Sequence, residues 1–195
     1  MVRVALTGGI ACGKSLVAEM LRERGFKTLD ADDVVHELLP EGERRRLVAE
    51  GVFRDAAKRK ALEARLWPQV RERFDAWEAE GASDVAENAP SGGFPARISV
   101  IPLLFEAHWD RKYDIICAVV SEERTQLSRM TDIRGYGRDE AEGRLKAQMP
   151  ASLKAAQSHY AIRNDGTREE LAAEVDRFVQ WLKDKTNQAS SMEKR

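Results

Sequence analysis

Leu6-Thr7-Gly8-Gly9-Ile10-Ala11-Cys12-Gly13-Lys14-Ser15 is the stretch around which the rest of this chain is organised. It contains Gly8-x-x-x-x-Gly13-Lys14-Ser15, preceded by the apolar alternation of Val2, Val4 and Leu6 and followed by a helix-compatible run from Lys14 to Glu23. A strand, a glycine-rich loop and a helix in that order form the context in which such a loop wraps a phosphate. Glycines free the backbone to turn successive N–H groups inward, and the positive end of the helix dipole adds to their field. Lys14 can then bring its charge to the β- and γ-phosphates of a nucleotide, and the Ser15 hydroxyl can complete the coordination of Mg²⁺. ATP and Mg²⁺ are therefore the expected ligands, with Gly8, Gly9, Ala11, Cys12, Gly13, Lys14, Ser15 and Leu16 forming the nucleotide-binding set.

The 195 residues are enough for one domain with a sizeable core. Lys and Arg number 32 against 33 Asp and Glu, a net charge of −1, which argues against nucleic acid as the main partner. No apolar run approaches the length needed to cross a membrane. The chain enters its first strand without the pattern of a signal peptide, and Cys12 and Cys117 offer no disulfide framework, so a reducing, cytoplasmic setting is the expectation.

Beyond the loop, Leu16, Val17, Met20 and Leu21 recur at helical spacing before Arg24-Gly25 ends the helix. Phe26 to Leu29 reads as a second strand, and Val34, Val35, Leu38 and Leu39 as a helix that stops at Pro40-Glu41-Gly42. Glu43 to Glu80 is charged and helical, and Gly81 to Pro95 reads as an exposed loop. Arg97–Pro102, Asp114–Val120 and Tyr160–Ile162 supply further short strands, each followed by helical sequence. That alternation predicts a three-layer α/β/α fold around a five-stranded parallel sheet. Its core spans 1–39 and 96–185, with a helical acceptor-side subdomain at about 40–95 and a lid at about 129–148. The last helix runs from Thr167 to Lys185, and the polar stretch 186–195 is expected to be a disordered tail.

A kinase acting on an alcohol needs a carboxylate beside the acceptor hydroxyl. Asp30-Ala31-Asp32-Asp33 stands at the end of the second strand, where open α/β sheets place their ligands. Asp32 is assigned as the base, Asp30 as a holder of metal-bound water, and Asp33 as a helix cap. Charge on the transferred phosphoryl group calls for cations that arrive on closure, and Arg129, Arg134 and Arg138 are candidates. Cys12, at a helix N-terminus where thiol pKa values fall, reads as a small loop-filling side chain, and Cys117 as core. His36, His108 and His159 lack metal-ligand spacing, and the last two read as structural or exposed.

Together these residues resemble one family. Val4-Ala5-Leu6-Thr7-Gly8-Gly9-Ile10, Gly13-Lys14-Ser15 and Leu29-Asp30-Ala31-Asp32 are similar to the start of dephospho-coenzyme A kinases. Pro102-Leu103-Leu104-Phe105-Glu106, Gln126-x-x-Arg129, Arg144-x-x-x-Gln148-Met149-Pro150, Lys154 and Asn164-Asp165-Gly166 follow the same pattern. The resemblance implies transfer of the ATP γ-phosphate to the ribose 3′-hydroxyl of dephospho-coenzyme A. It puts Asp32 on the catalytic aspartate, Arg138 on a lid arginine and Asn164 near the adenine. His36 stands on the acceptor side where the family usually has Arg, Trp67-Pro68 replaces His-Pro, and Ile133 occupies a lid position usually held by Arg. Two other readings stay open: a different small-molecule or nucleoside monophosphate kinase of this fold, and a nucleotide-binding regulatory protein with weakened catalysis.

Overall fold

The computed structural model describes residues 2–49, 55–84 and 97–192. Five strands, β1 (Val4–Gly8), β2 (Lys27–Asp30), β3 (Arg97–Val100), β4 (Ile115–Val120) and β5 (Tyr160–Arg163), form one sheet in the order β2-β3-β1-β4-β5. Every pairing is parallel. The three inner strands are buried along their whole length, as the near-continuous apolar runs of a sheet covered on both faces require.

Side chains alternate between two cores. Val4, Leu6, Ile98, Cys117 and Val119 face α1 (Lys14–Glu23) and α8 (Arg168–Met192), meeting Val17, Leu21, Leu171 and Phe178. Ala5 and Ile116, one residue out of phase, face α2 (Ala31–Leu38) and α4 (Ala56–Asp84), where Val34, Val70 and Phe74 are buried. α3 (Glu41–Ala49) docks on α4 through a small cluster of Leu39, Leu47, Leu62 and Leu66.

After β4 come α5 (Glu123–Ser128), a π-helical turn (Arg129–Ile133), α6 (Arg138–Lys146) and α7 (Ala151–Ala156). Met130 and Ala141 of this segment pack with Ala11, so it rests on the glycine-rich loop.

Two helices run past the ends expected from the sequence. α4 continues to Asp84, past Gly81 where a loop was expected, and the remainder of that loop, 85–96, lies outside the described residues. α8 runs on to Met192, beyond Lys185, because Leu182 and Thr186 are still buried against the body of the protein. Of the expected disordered tail, 186–192 is therefore helical, and 193–195 lies outside the described residues.

Candidate active site

The loop between β1 and α1 takes its shape from two left-handed residues, Ala11 at φ 58° and Gly13 at φ 87°. At Gly13 the requirement for glycine is double, because a Cβ would also stand 2.1 Å from the Asn164 amide nitrogen. Gly8 is needed for a different reason, since a Cβ there would lie 2.6 Å from the Val119 carbonyl of β4. The first turn of α1 leaves the amides of Gly13 to Leu16 without intrahelical partners, which is the field a phosphate group seeks.

The opposite side of the loop is bound by side chains from distant elements. The Ile10 carbonyl accepts from Gln126 Nε2 at 2.6 Å, and the Ile10 amide donates to Gln148 Oε1 at 3.1 Å. Arg129 donates to the Ala11 carbonyl at 3.2 Å, and Asn164 Nδ2 to the Cys12 carbonyl at 2.8 Å. Arg129 also donates to the Asn164 carbonyl and the Ser121 hydroxyl. Asn164, at the end of β5, is buried and supports the loop from beneath. The Cys12 thiol does not have the lowered pKa expected of a helix N-terminus. Burial pushes it up, outweighing the Ser121 and Gly9 backbone contacts and the Arg129 charge, so it is a packed, inert side chain. Cys117 is core, as expected, and burial raises its thiol well above the usual range.

Sheet register brings the carboxylates to the loop. Asp30 pairs with Val100, and Val100 with Leu6, so the end of β2 lies level with Leu6, two residues before β1 ends, although β3 separates them. Asp30 is the residue that caps α2, accepting from the Asp32 amide at 2.9 Å. The capping role thus falls on Asp30 rather than Asp33, which is exposed in the first turn. Burial pushes the Asp30 carboxyl up, the Lys14 charge and the Asp32 amide oppose it, and the charges of Asp32 and Asp33 reinforce it. Lys14, Asp30 and Asp32 therefore share one electrostatic neighbourhood. Asp32 is exposed, free to meet a ligand. His36 is exposed on the same helix.

Pro102 to Glu106, following β3, is held by a lysine with no exposed surface. Lys154 Nζ donates to the Pro102 carbonyl at 2.7 Å and pairs with Glu106 at 2.9 Å, while Glu106 accepts from the Met149 amide at 3.0 Å. Sequence reading singled out Glu106 and Lys154 separately, and the structure joins them.

Of the arginines, Arg129 and Arg134 line a cavity of about 280 Å³ beside the loop, with Ala11, Gly13, Leu16 and Asn164. Arg138 lines neither this cavity nor a larger one of about 670 Å³ between α5, α7 and Ile10. It is exposed and pairs with Glu142 one turn further on, and Arg144 pairs with Glu140 and stacks on Tyr136. His159 extends the β4–β5 ladder, its Nδ1 accepting from the Ile116 amide at 3.0 Å, and His108 is exposed. Among the described residues no group of three or more His, Cys, Asp or Glu side chains is arranged to hold a metal by itself. Sequence reasoning missed the hold of Gln126 and Gln148 on Ile10. The signal available was Gln126, a polar residue in an apolar phase of its helix, which is only 4% exposed.

A parallel sheet of this order, with a phosphate loop after β1, carboxylates at the end of β2 and arginines lining a cavity beside the loop, has the architecture of a P-loop kinase. The chain belongs to the dephospho-CoA kinase family, whose model matches residues 2–44 and 39–170. A dephospho-CoA kinase of Geobacter metallireducens is 38% identical over 188 residues, covering 90% of this chain and 94% of the relative. Another, of Symbiobacterium thermophilum, is 34% identical over 194 residues, covering 89% of this chain and 78% of the relative. The solved dephospho-CoA kinase of Campylobacter jejuni shares the fold, with a TM-score of 0.63 at 22% identity over 94% of this chain and 98% of that one.

Proposed function

We propose that this chain transfers the γ-phosphoryl group of ATP to the ribose 3′-hydroxyl of dephospho-coenzyme A, giving coenzyme A and ADP. The observation that carries the reading is that the Lys14 charge reaches the Asp30 carboxyl, beside Asp32 at the end of β2, in a chain of this family whose α1 begins with unpartnered amides. The loop amides and Lys14 cradle the β- and γ-phosphates, and the adenine lies in the smaller cavity beside Asn164. The acceptor lies against α2, within reach of Asp32 and His36. Its hydroxyl oxygen bonds to the γ-phosphorus as the bond to the β–γ bridging oxygen breaks, and the hydroxyl proton passes to the Asp32 carboxylate. Arg134, already at the nucleotide cavity, and Arg138, brought in as the 129–148 segment closes, neutralise charge on the transferred group.

Mg²⁺ fits this donor set as a shared ion rather than a caged one. Ser15 offers a hydroxyl and Asp30 a carboxylate that would act through water, leaving the other positions to phosphate oxygens and solvent. When bound, the ion would supply charge neutralisation at the β- and γ-oxygens. Two buried, unpaired cysteines, and no described helix long and apolar enough to cross a membrane, support a cytoplasmic setting.

A coupled assay of ADP release with ATP, Mg²⁺ and dephospho-coenzyme A tests the proposal. Turnover with that acceptor is expected, and turnover only with another alcohol would overturn it. Asp32→Asn should lower kcat while ATP affinity stays near that of the parent. An unchanged kcat would remove Asp32 from the role of base.

A further inference from the structure

Both ends of the 129–148 segment are fastened to a single residue of the phosphate loop. Gln126 lies three residues before that segment and gives its amide N–H to the Ile10 carbonyl at 2.6 Å. Gln148 closes the segment and takes the Ile10 N–H on its side-chain carbonyl at 3.1 Å. These contacts span 116 and 138 residues of sequence, so they are products of the fold and not of local turn geometry. Gln126 is also packed hard on the loop, where a Cβ at Gly9 would come 2.9 Å from its amide nitrogen.

The far side of each glutamine is anchored too. Met149, next to Gln148, gives its amide to Glu106, which is held by the buried Lys154, and Pro150 then opens α7. Arg129, one turn after Gln126, grips the Ala11 and Asn164 carbonyls. The Ile10 backbone thus sits between two supports that belong to the roots of the lid and that both face the larger cavity.

We propose that Gln126 and Gln148 are positioning residues that fix the Ile10 backbone, setting the phosphate loop in its binding conformation and tying it to the lid at both roots. Neither touches the reacting atoms in this reading. They act through the loop, and neutral amides suit the task because they supply one donor and one acceptor without adding charge beside the phosphates. The inference rests on the proposed role of the loop in holding ATP.

The two glutamines should respond oppositely to one change. A carboxylate at 148 still accepts from the Ile10 amide, whereas a carboxylate at 126 cannot donate to the Ile10 carbonyl. Gln148→Glu and Gln126→Glu add the same charge near the same residue, so the difference between them reports the hydrogen bonds. Leucine at either site removes its bond, and melting temperature identifies variants that remain folded. Among those, Gln126→Leu, Gln148→Leu and Gln126→Glu should weaken ATP binding by calorimetry about five- to tenfold, the loss of one such bond. Gln148→Leu should also speed hydrogen exchange at the Ile10 amide. Gln148→Glu should keep that amide protected and bind ATP more tightly than Gln126→Glu. Equal behaviour of the two glutamate variants, or unchanged Ile10 exchange in folded Gln148→Leu, overturns the proposal. Calorimetry and exchange need no acceptor, so absence of dephospho-coenzyme A phosphorylation would count against the function and leave this test intact.

Discussion

Replacing Gly13 with alanine probes the loop where two physical demands coincide. The residue sits at φ 87°, a left-handed conformation that costs an L side chain about 1–2 kcal/mol. Its new Cβ would fall 2.1 Å from the Asn164 amide nitrogen, a distance no relaxed structure keeps. Asn164 must then withdraw, leaving the Cys12 carbonyl without its 2.8 Å donor in a buried setting, at about 1–3 kcal/mol. The two effects together predict a loss of about 2–5 kcal/mol, a large share of the roughly 5–15 kcal/mol typical of a domain. Urea unfolding of four proteins, the parent, Gly13→Ala, Asn164→Ala and the double variant, separates them. With Asn164 already truncated the clash is gone, and Gly13→Ala should cost only the conformational part, about 1–2 kcal/mol. Equal costs in the two backgrounds would show that Asn164 does not press on the loop, and a loss below about 0.5 kcal/mol in the parent would refute the reasoning altogether.

Two further substitutions test the surroundings of the site. Asp30→Asn keeps a good helix cap while removing a carboxylate whose pKa is raised, chiefly by burial. A raised carboxyl pKa means the folded protein holds the proton more tightly than the unfolded chain. That stability is present below the unfolded pKa and lost as pH rises through the folded one. The parent should therefore lose stability relative to Asp30→Asn as pH climbs through the carboxylate range, and urea midpoints from acid to neutral pH would read it. Asp30→Ala, which also loses the cap, should fall about 1 kcal/mol below Asp30→Asn at neutral pH. Lys154→Met strands Glu106 beside the Pro102 segment and should cost about 3–5 kcal/mol in denaturant unfolding, because one member of a largely buried pair is left uncompensated. A cost near zero would mean that solvent already screens this pair.

The chain announced its fold through local chemistry. The loop is contiguous, its glycines, lysine and serine lie between an apolar strand and an amphipathic helix, and that order alone specifies a phosphate cradle. The buried strands appeared as short apolar runs because both faces of a parallel sheet are covered, and Asp30 to Asp33 stood visibly at a strand end. Helix ends were less legible. α8 passes Lys185 because Leu182 and Thr186 find tertiary burial, which the polar composition of 186–195 does not announce.

Sequence by itself thus determined the phosphate loop, the parallel α/β class and the position of the carboxylates, since each depends on residues within a turn or two of one another. Tertiary structure decided how these parts meet. Strand order and register brought Asp30 level with Leu6, near the C-terminal end of β1, and the local backbone made it the cap in place of Asp33. Packing turned Arg129 and Asn164 inward as supports, left Arg138 outside on its own helix, and buried the Cys12 thiol. It also joined Lys154 to Glu106 and set Gln126 and Gln148 on the Ile10 backbone. These contacts link residues far apart in the chain, where no periodicity or spacing carries the information, and only the folded backbone brings the partners within hydrogen-bonding distance.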